Sequence, residues 1–144
     1  MKRLLVVNGP NLNLLGAREP EIYGSLTLAQ IEARMQEQAR ARDCELRCFQ
    51  SNSEAAILDF IQVEAAAAQG LVLNPGALTH SSVALYDCLR ALALPTVEVH
   101  LSNIHAREEF RSRSVTAAAA LGVVAGLGAS GYIYAMEYLI DRDE

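Results

Sequence analysis

The sequence predicts an α/β fold, a three-layer αβα sandwich around a five-stranded parallel sheet, in a single domain spanning 1–144. Two observations carry that expectation. Short apolar runs, which read as buried strands, alternate with amphipathic stretches, which read as helices, and this alternation argues for βαβ units. Every chemically suggestive cluster also falls just after a predicted strand, where open α/β sheets bind their ligands.

The elements follow in order. Leu4 to Val7 is the first strand, stopped by Asn8, Gly9 and Pro10. Thr27 and Gln30 make a capping box, and Leu28, Ile31, Met35 and Ala39 recur at helical spacing, so a helix is predicted to about Arg42. Cys44 to Phe49 is the second strand; its alternation of Cys44, Leu46 and Cys48 with Glu45 and Arg47 marks a sheet edge. Ser53 caps the next helix, whose stripe is Ile57, Ile61, Ala65 and Ala68, and Gly70 is expected to end it. Leu71 to Leu73 is the third strand. A helix from Ser82 to Leu92 follows, and Pro95 separates it from the fourth strand, Thr96 to His100. A polar segment, Ser102 to Ser114, carries Arg107, Arg111 and Arg113. Gly122 to Leu127 is the fifth strand, and Ser130 to about Asp141 the last helix. Crossovers between the parallel strands are expected to be right-handed.

Composition narrows the function classes. A 144-residue chain buries roughly 70% of its unfolded surface, enough for its own core. The net charge of -5 argues against a nucleic-acid surface. Cys44, Cys48 and Cys88 are odd in number and match neither a redox nor a zinc spacing, so free thiols in a reducing cytoplasm are expected. No cleavable leader is expected at Met1-Lys2-Arg3. Ser114 to Met136 is uncharged, but Gly122, Gly126, Gly128 and Gly131 interrupt it, so it is read as strand, turn and helix rather than a membrane span.

Three motifs mislead. Gly126 to Gly131 matches GxGxxG, but the chain ends at Glu144, before a following strand and acidic residue could complete a dinucleotide site. Tight strand–helix packing is the expected reason for these glycines. His80, Ser81, Ser82 and Asp87 hold the ingredients of a hydrolase triad without its nucleophile elbow. His100 and His105 do not form HExxH, and no metal and no cofactor is expected.

Two places hold the chemistry. The first is Asn8 to Gly24, rich in amides, where Arg18 and Tyr23 stand five residues apart around Pro20, with Gly16 and Gly24 outside them. An ordinary strand-to-helix connection fits these residues; so does a flap carrying a cation and a phenol. The second is Glu98-Val99-His100 at a strand end, where period two puts carboxylate and imidazole on one face. Such a pair makes a competent general acid, although a histidine that merely finishes a strand fits equally. Tyr23 as a base needs help, since ionising a free tyrosine at pH 7 costs about 4 kcal/mol. A single arginine at ~4 Å contributes on the order of 4 kcal/mol at an effective dielectric near 20. Arg18 is placed to supply most of this, with Arg107 or Arg111 adding the rest.

The segments NGPNLNLLGAREPEIYG, QSNSEAAILDFI, LNPGALTHSSVALYD, VEVHLSNIHAREEFR and GLGASGY occur in this order along nearly the whole chain. Together they resemble type II 3-dehydroquinate dehydratase. The resemblance implies a flavodoxin-like fold and a lyase acting on 3-dehydroquinate in the shikimate pathway, without a Schiff base. It implies Tyr23 as tyrosinate base, His100 as acid, Arg18 as the flap cation, Asn11 as holder of the water facing the enolate, and Glu98 behind His100. It also implies that Asn74, Ser102 and the Leu101-Ser102 amides bind the substrate carboxylate and that His80 and Arg111 bind ring hydroxyls. Asp87 is expected to reach a neighbouring subunit's site in a homododecamer, a tetramer of trimers. Two rivals are a flavodoxin-like binding or signalling module and a different lyase acting on a related carboxylate. Against the first, Asn8 to Gly24 holds neither a Walker pattern nor an aspartate.

Overall fold

A computed structural model of the chain describes residues 1–17 and 19–142. Five strands form one sheet: β1 Lys2–Asn8, β2 Cys44–Gln50, β3 Gly70–Asn74, β4 Thr96–His100 and β5 Gly122–Ala125. All four ladders are parallel and the order is β2-β1-β3-β4-β5. The helices are α1 Pro20–Tyr23, α2 Leu28–Ala41, α3 Glu54–Glu64, α4 Val83–Leu92 and α5 Ser130–Asp141.

Alternation along the strands builds the layers. Leu4 and Val6 of β1 face a core shared with Ile31 and Met35 of α2 and Tyr132 and Met136 of α5. Leu5 and Val7 face the opposite core, shared with Ile57 and Ile61 of α3 and Leu85 and Leu89 of α4. The central strands β1 and β3 are apolar on both faces because helices cover both. The expected αβα sandwich and its five-stranded parallel sheet are therefore present.

The predicted caps form as read. Thr27 and Gln30 make both bonds of the capping box, and Ser53 accepts a backbone N–H in the first turn of α3. Ser82 caps α4 in the same way. Two boundaries differ. The stripe through Ala65 and Ala68 does not continue as α-helix: 65–67 is a 3-10 turn and Ala68 is extended. Gly70 begins β3 instead of ending a helix. A Cβ there would stand 3.0 Å from a Leu4 methyl and 3.2 Å from a Leu139 methyl, so the glycine lets α5 settle on the sheet. The fifth strand stops at Ala125, because Gly126 turns the chain at φ +87°.

The sheet's two edges differ in character. β2 carries Glu45 and Arg47, which pair with Arg3 and Glu64. β5 exposes Val123, beside the exposed Tyr134 and Tyr138 of α5. Cys44, Cys48 and Cys88 are free thiols, and burial pushes Cys48 up to about 12. No helix among the described residues is long and apolar enough to cross a membrane.

Candidate active site

In a sheet of this order the chain direction switches between β1 and β3, and ligands bind beyond the carboxyl ends there. The structure has a cleft of about 150 Å³ at that place. Three loops build it. The β1 loop supplies Pro10, Asn11 and Leu12; the β3 loop supplies Asn74, Gly76, Ala77 and His80; the end of β4 supplies His100, Leu101 and Ser102. Tyr23 closes one side, with Arg107 and Arg111 beside it.

The floor of the cleft is rigid. Asn8 and Asn74 lie opposite each other at the ends of β1 and β3. The buried Tyr132 phenol bridges them, donating to Asn8 Oδ1 at 2.5 Å and accepting from Asn74 Nδ2 at 2.8 Å. Asn74 Oδ1 accepts the Gly76 N–H at 3.1 Å, so its amide is held at both ends. Asn11 adopts a left-handed φ of 70°, and its N–H donates to Asn52 Oδ1.

At the far wall, the period-two expectation for β4 holds. His100 Nε2 lies 2.7 Å from Glu98 Oε2, and both side chains are buried. A carboxylate only accepts, so Nε2 carries the proton and Nδ1 is the remaining nitrogen. Glu98 receives hydroxyl protons as well: Thr79 and Ser114 at Oε2, at 3.1 and 2.9 Å, and Thr116 at Oε1, at 2.5 Å. Burial works to raise the Glu98 carboxyl, but the bonds from His100, Thr116 and Ser114 and the His100 charge outweigh it, and the group is held below the usual range.

Tyr23 is half-buried at the end of α1 and packs against the core through its ring. The Arg107 guanidinium stands over that ring, 5.1 Å from its centroid, and also reaches Ser102 Oγ at 3.5 Å. Arg111 donates to Glu108 at 3.2 Å and lies over the Phe110 ring. Arg107, one of the two arginines expected to add to Arg18, thus contacts the Tyr23 ring. His80 Nδ1 donates to the Arg113 carbonyl at 2.8 Å, which leaves Nε2 as an acceptor.

The structure therefore brings Tyr23, His100, Asn11, Asn74, His80, Leu101, Ser102 and Arg111 to one cleft, with Glu98 directly behind His100. Asp87 stands exposed on α4 and does not line it. Arg18 lies outside the described residues. Among the described residues no group of three His, Cys, Asp or Glu side chains could hold a metal.

Sequence reasoning missed the Tyr132 bridge and the three hydroxyls around Glu98. Tyr132 sits in an apolar helical stripe and reads as core. The GxGxxG turn serves the fold. The Gly126 and Gly128 amides donate to the His100 and Leu101 carbonyls at 3.2 and 3.0 Å and hold the end of β4. Close packing accounts for Gly131, where a Cβ would stand 3.3 Å from Val124.

This geometry has counterparts. The family profile described as "Dehydroquinase class II" matches residues 2–140. The chain belongs to that family. It is 51% identical to a 3-dehydroquinate dehydratase of Halothermothrix orenii, over 98% of this chain and 95% of that protein. It is 55% identical to a 3-dehydroquinate dehydratase of Parasynechococcus marenigrum, over 96% of this chain and 95% of that protein. The crystal structure of the type II dehydroquinase of Butyrivibrio crossotus superposes with a TM-score of 0.94 at 43% identity, covering 96% of this chain and 97% of that one. The flavodoxin-like order of the sheet is the fold of this family.

Proposed function

We propose that this chain dehydrates 3-dehydroquinate to 3-dehydroshikimate, the third step of the shikimate pathway, by anti elimination through an enolate. Family membership supports the reaction. The observation that carries the mechanism is the buried Glu98–His100 pair facing a cleft that Tyr23 also lines. Tyr23, as tyrosinate, removes the C2 proton next to the C3 ketone. The electrons move into the carbonyl and give an enolate. As the enolate collapses, the C1–oxygen bond breaks, and His100, acting as the imidazolium with its Nε2–H held by Glu98, gives up its Nδ1 proton so that the hydroxyl leaves as water. The Tyr23 proton then returns to solvent and His100 is recharged.

The base is helped by positive charge on its ring face from Arg107, and Arg18 is assigned the flap cation. Asn11 holds the water facing the enolate. Asn74, Ser102 and the Leu101-Ser102 amides take the carboxylate, while His80 and Arg111 take ring hydroxyls. A small polyhydroxy acid suits these walls, which offer fixed polar partners more than apolar area. We assign Asp87 to the site of an adjacent subunit, in a dodecamer built as a tetramer of trimers in the cytoplasm, with no cofactor and no metal. The exposed position of Asp87 on α4 supports that assignment.

The direct test adds purified protein to 3-dehydroquinate and follows the ultraviolet absorbance of the conjugated enone acid. Growth of that band at a rate proportional to enzyme is the expected result. Its absence with folded protein would remove this reading.

A further inference from the structure

Glu98 is fully buried, yet it accepts protons from four side chains. Three of these are hydroxyls that also touch one another: Thr79 Oγ1 lies 2.6 Å from Ser114 Oγ and 2.8 Å from Thr116 Oγ1. We propose that Thr79, Ser114 and Thr116 form a hydroxyl cradle that positions the acid His100 by holding Glu98 as a carboxylate, with Thr116 its decisive member.

The strength of these bonds supports this. Each hydroxyl has one proton to give, and a carboxylate offers about four acceptor sites. With Glu98 ionised, Thr116 serves Oε1, Ser114 and His100 serve Oε2, and the Thr79 proton goes to Oε2 or to a neighbouring hydroxyl. Hydrogen bonds to an ionised acceptor are roughly twice as strong as neutral ones, so a set of donors aimed at both carboxyl oxygens favours the charged form. Thr116 matters most because its bond is the only one to Oε1 among the described residues, while Oε2 has three.

In the sheet Glu98 is flanked by the uncharged Leu73 of β3 and Val123 of β5. Among the described residues, the titratable or charged groups that line the cleft with His100 are Tyr23, His80, Arg107 and Arg111. The cradle also fastens two loops. Thr79 immediately precedes His80, and Ser114 and Thr116 follow the segment bearing Arg107 and Arg111. The Val115 N–H joins them by donating to the Thr79 carbonyl at 2.6 Å. One buried carboxylate thus aligns the proton donor and ties down both substrate-facing loops.

The experiment compares Thr116→Val, which keeps the shape and removes the hydroxyl, with Thr116→Ser, which restores it. The Glu98 carboxyl is titrated by carbon-13 NMR, with Glu98→Gln identifying its signal. Thr116→Val is expected to raise the Glu98 midpoint by about one pH unit, the scale of one hydrogen bond to a charged group. Its kcat should fall, and Thr116→Ser should return both toward wild type. Ser114→Ala should shift the midpoint less, and it supplies the readout if Thr116→Val does not fold. A Glu98 midpoint unmoved in the folded variants overturns the proposal, even if activity falls. The kcat arm rests on the dehydratase reading; the NMR arm needs no substrate, so the two failures are distinguishable.

Discussion

Gly9 and Pro75 cross backbone to backbone at the switch point of the sheet: a Cβ on Gly9 would stand 2.2 Å from the Pro75 carbonyl oxygen. The Gly9 N–H donates to the Asn74 carbonyl at 2.8 Å, so the loops after β1 and β3 are bound as one floor beneath the cleft. Gly9→Ala should therefore destabilise by about 3 kcal/mol, at the upper end of overpacking costs, because backbone rather than a flexible side chain must yield. Gly122→Ala is the control, since nothing lies within 4 Å of its Cβ position and its φ is ordinary; its effect should stay within about 0.5 kcal/mol. Thermal melts followed by far-UV circular dichroism read both.

Tyr23→Phe should keep the fold and substrate binding while kcat falls by roughly a thousandfold, the scale of a lost general base. Only the hydroxyl is removed, and the ring contact with Arg107 survives. Turnover within a fewfold of wild type would move the base elsewhere.

The hydrogen bonds to Glu98 make a claim about acid stability. Its carboxyl is held below the usual range in the folded chain. The stabilisation is therefore fully present above the unfolded value, near pH 4.3, and is lost as pH falls through the lower folded value. Glu98→Gln removes that dependence. The variant should be less stable by about 2 kcal/mol at pH 7, since charged hydrogen bonds are replaced by weaker ones, and its deficit should shrink on going to pH 3. A constant deficit across that range in denaturant titrations would contradict the assignment.

Borohydride added with substrate should leave the enzyme active and its mass unchanged. Lys2 is the only lysine, and its ammonium donates to the Leu139, Ile140 and Arg142 carbonyls at the end of α5. It stands at the start of β1, whereas the cleft lies beyond that strand's other end. A reduced adduct in the mass spectrum would refute an imine-free path.

Asp87 tests the assembly. Tyr23→Phe and Asp87→Ala, each strongly impaired alone, should recover activity when mixed under conditions that exchange subunits. Hybrid oligomers contain sites with Tyr23 from one chain and Asp87 from the next. Confirmed exchange without recovery would confine Asp87 to its own chain.

The fold was legible because period and punctuation agreed along the chain. Leu4 to Val7 had no other reading than a buried strand, and Thr27 with Gln30 announced its helix. Gly70 was misread because a glycine after an alanine-rich stretch looks like a helix end, and only the approach of Leu139 reveals its packing role. The Glu98–His100 pair was visible because β-strand geometry fixes neighbours two apart. The partners of Glu98 were not, since Thr79, Ser114 and Thr116 meet it only through tertiary packing. Tyr132 stayed hidden for the same reason: its hydroxyl reaches Asn8 across most of the chain.

The parallel ladders have a consequence for time. Leu4 pairs with Gly70 and Lys2 with Cys44, and even the nearest partners, such as Val97 and Gly122, are separated by a whole crossover. The sheet contains no hairpin that could close early and cheaply. Loop-closure entropy is therefore spent before the contacts that reward it form, which slows refolding relative to helical chains of this size. The first strand made on the ribosome becomes an inner strand of the sheet and must wait for β3 to arrive. Tyr23 and His100, carried after β1 and at the end of β4, can meet only once β3 has joined them.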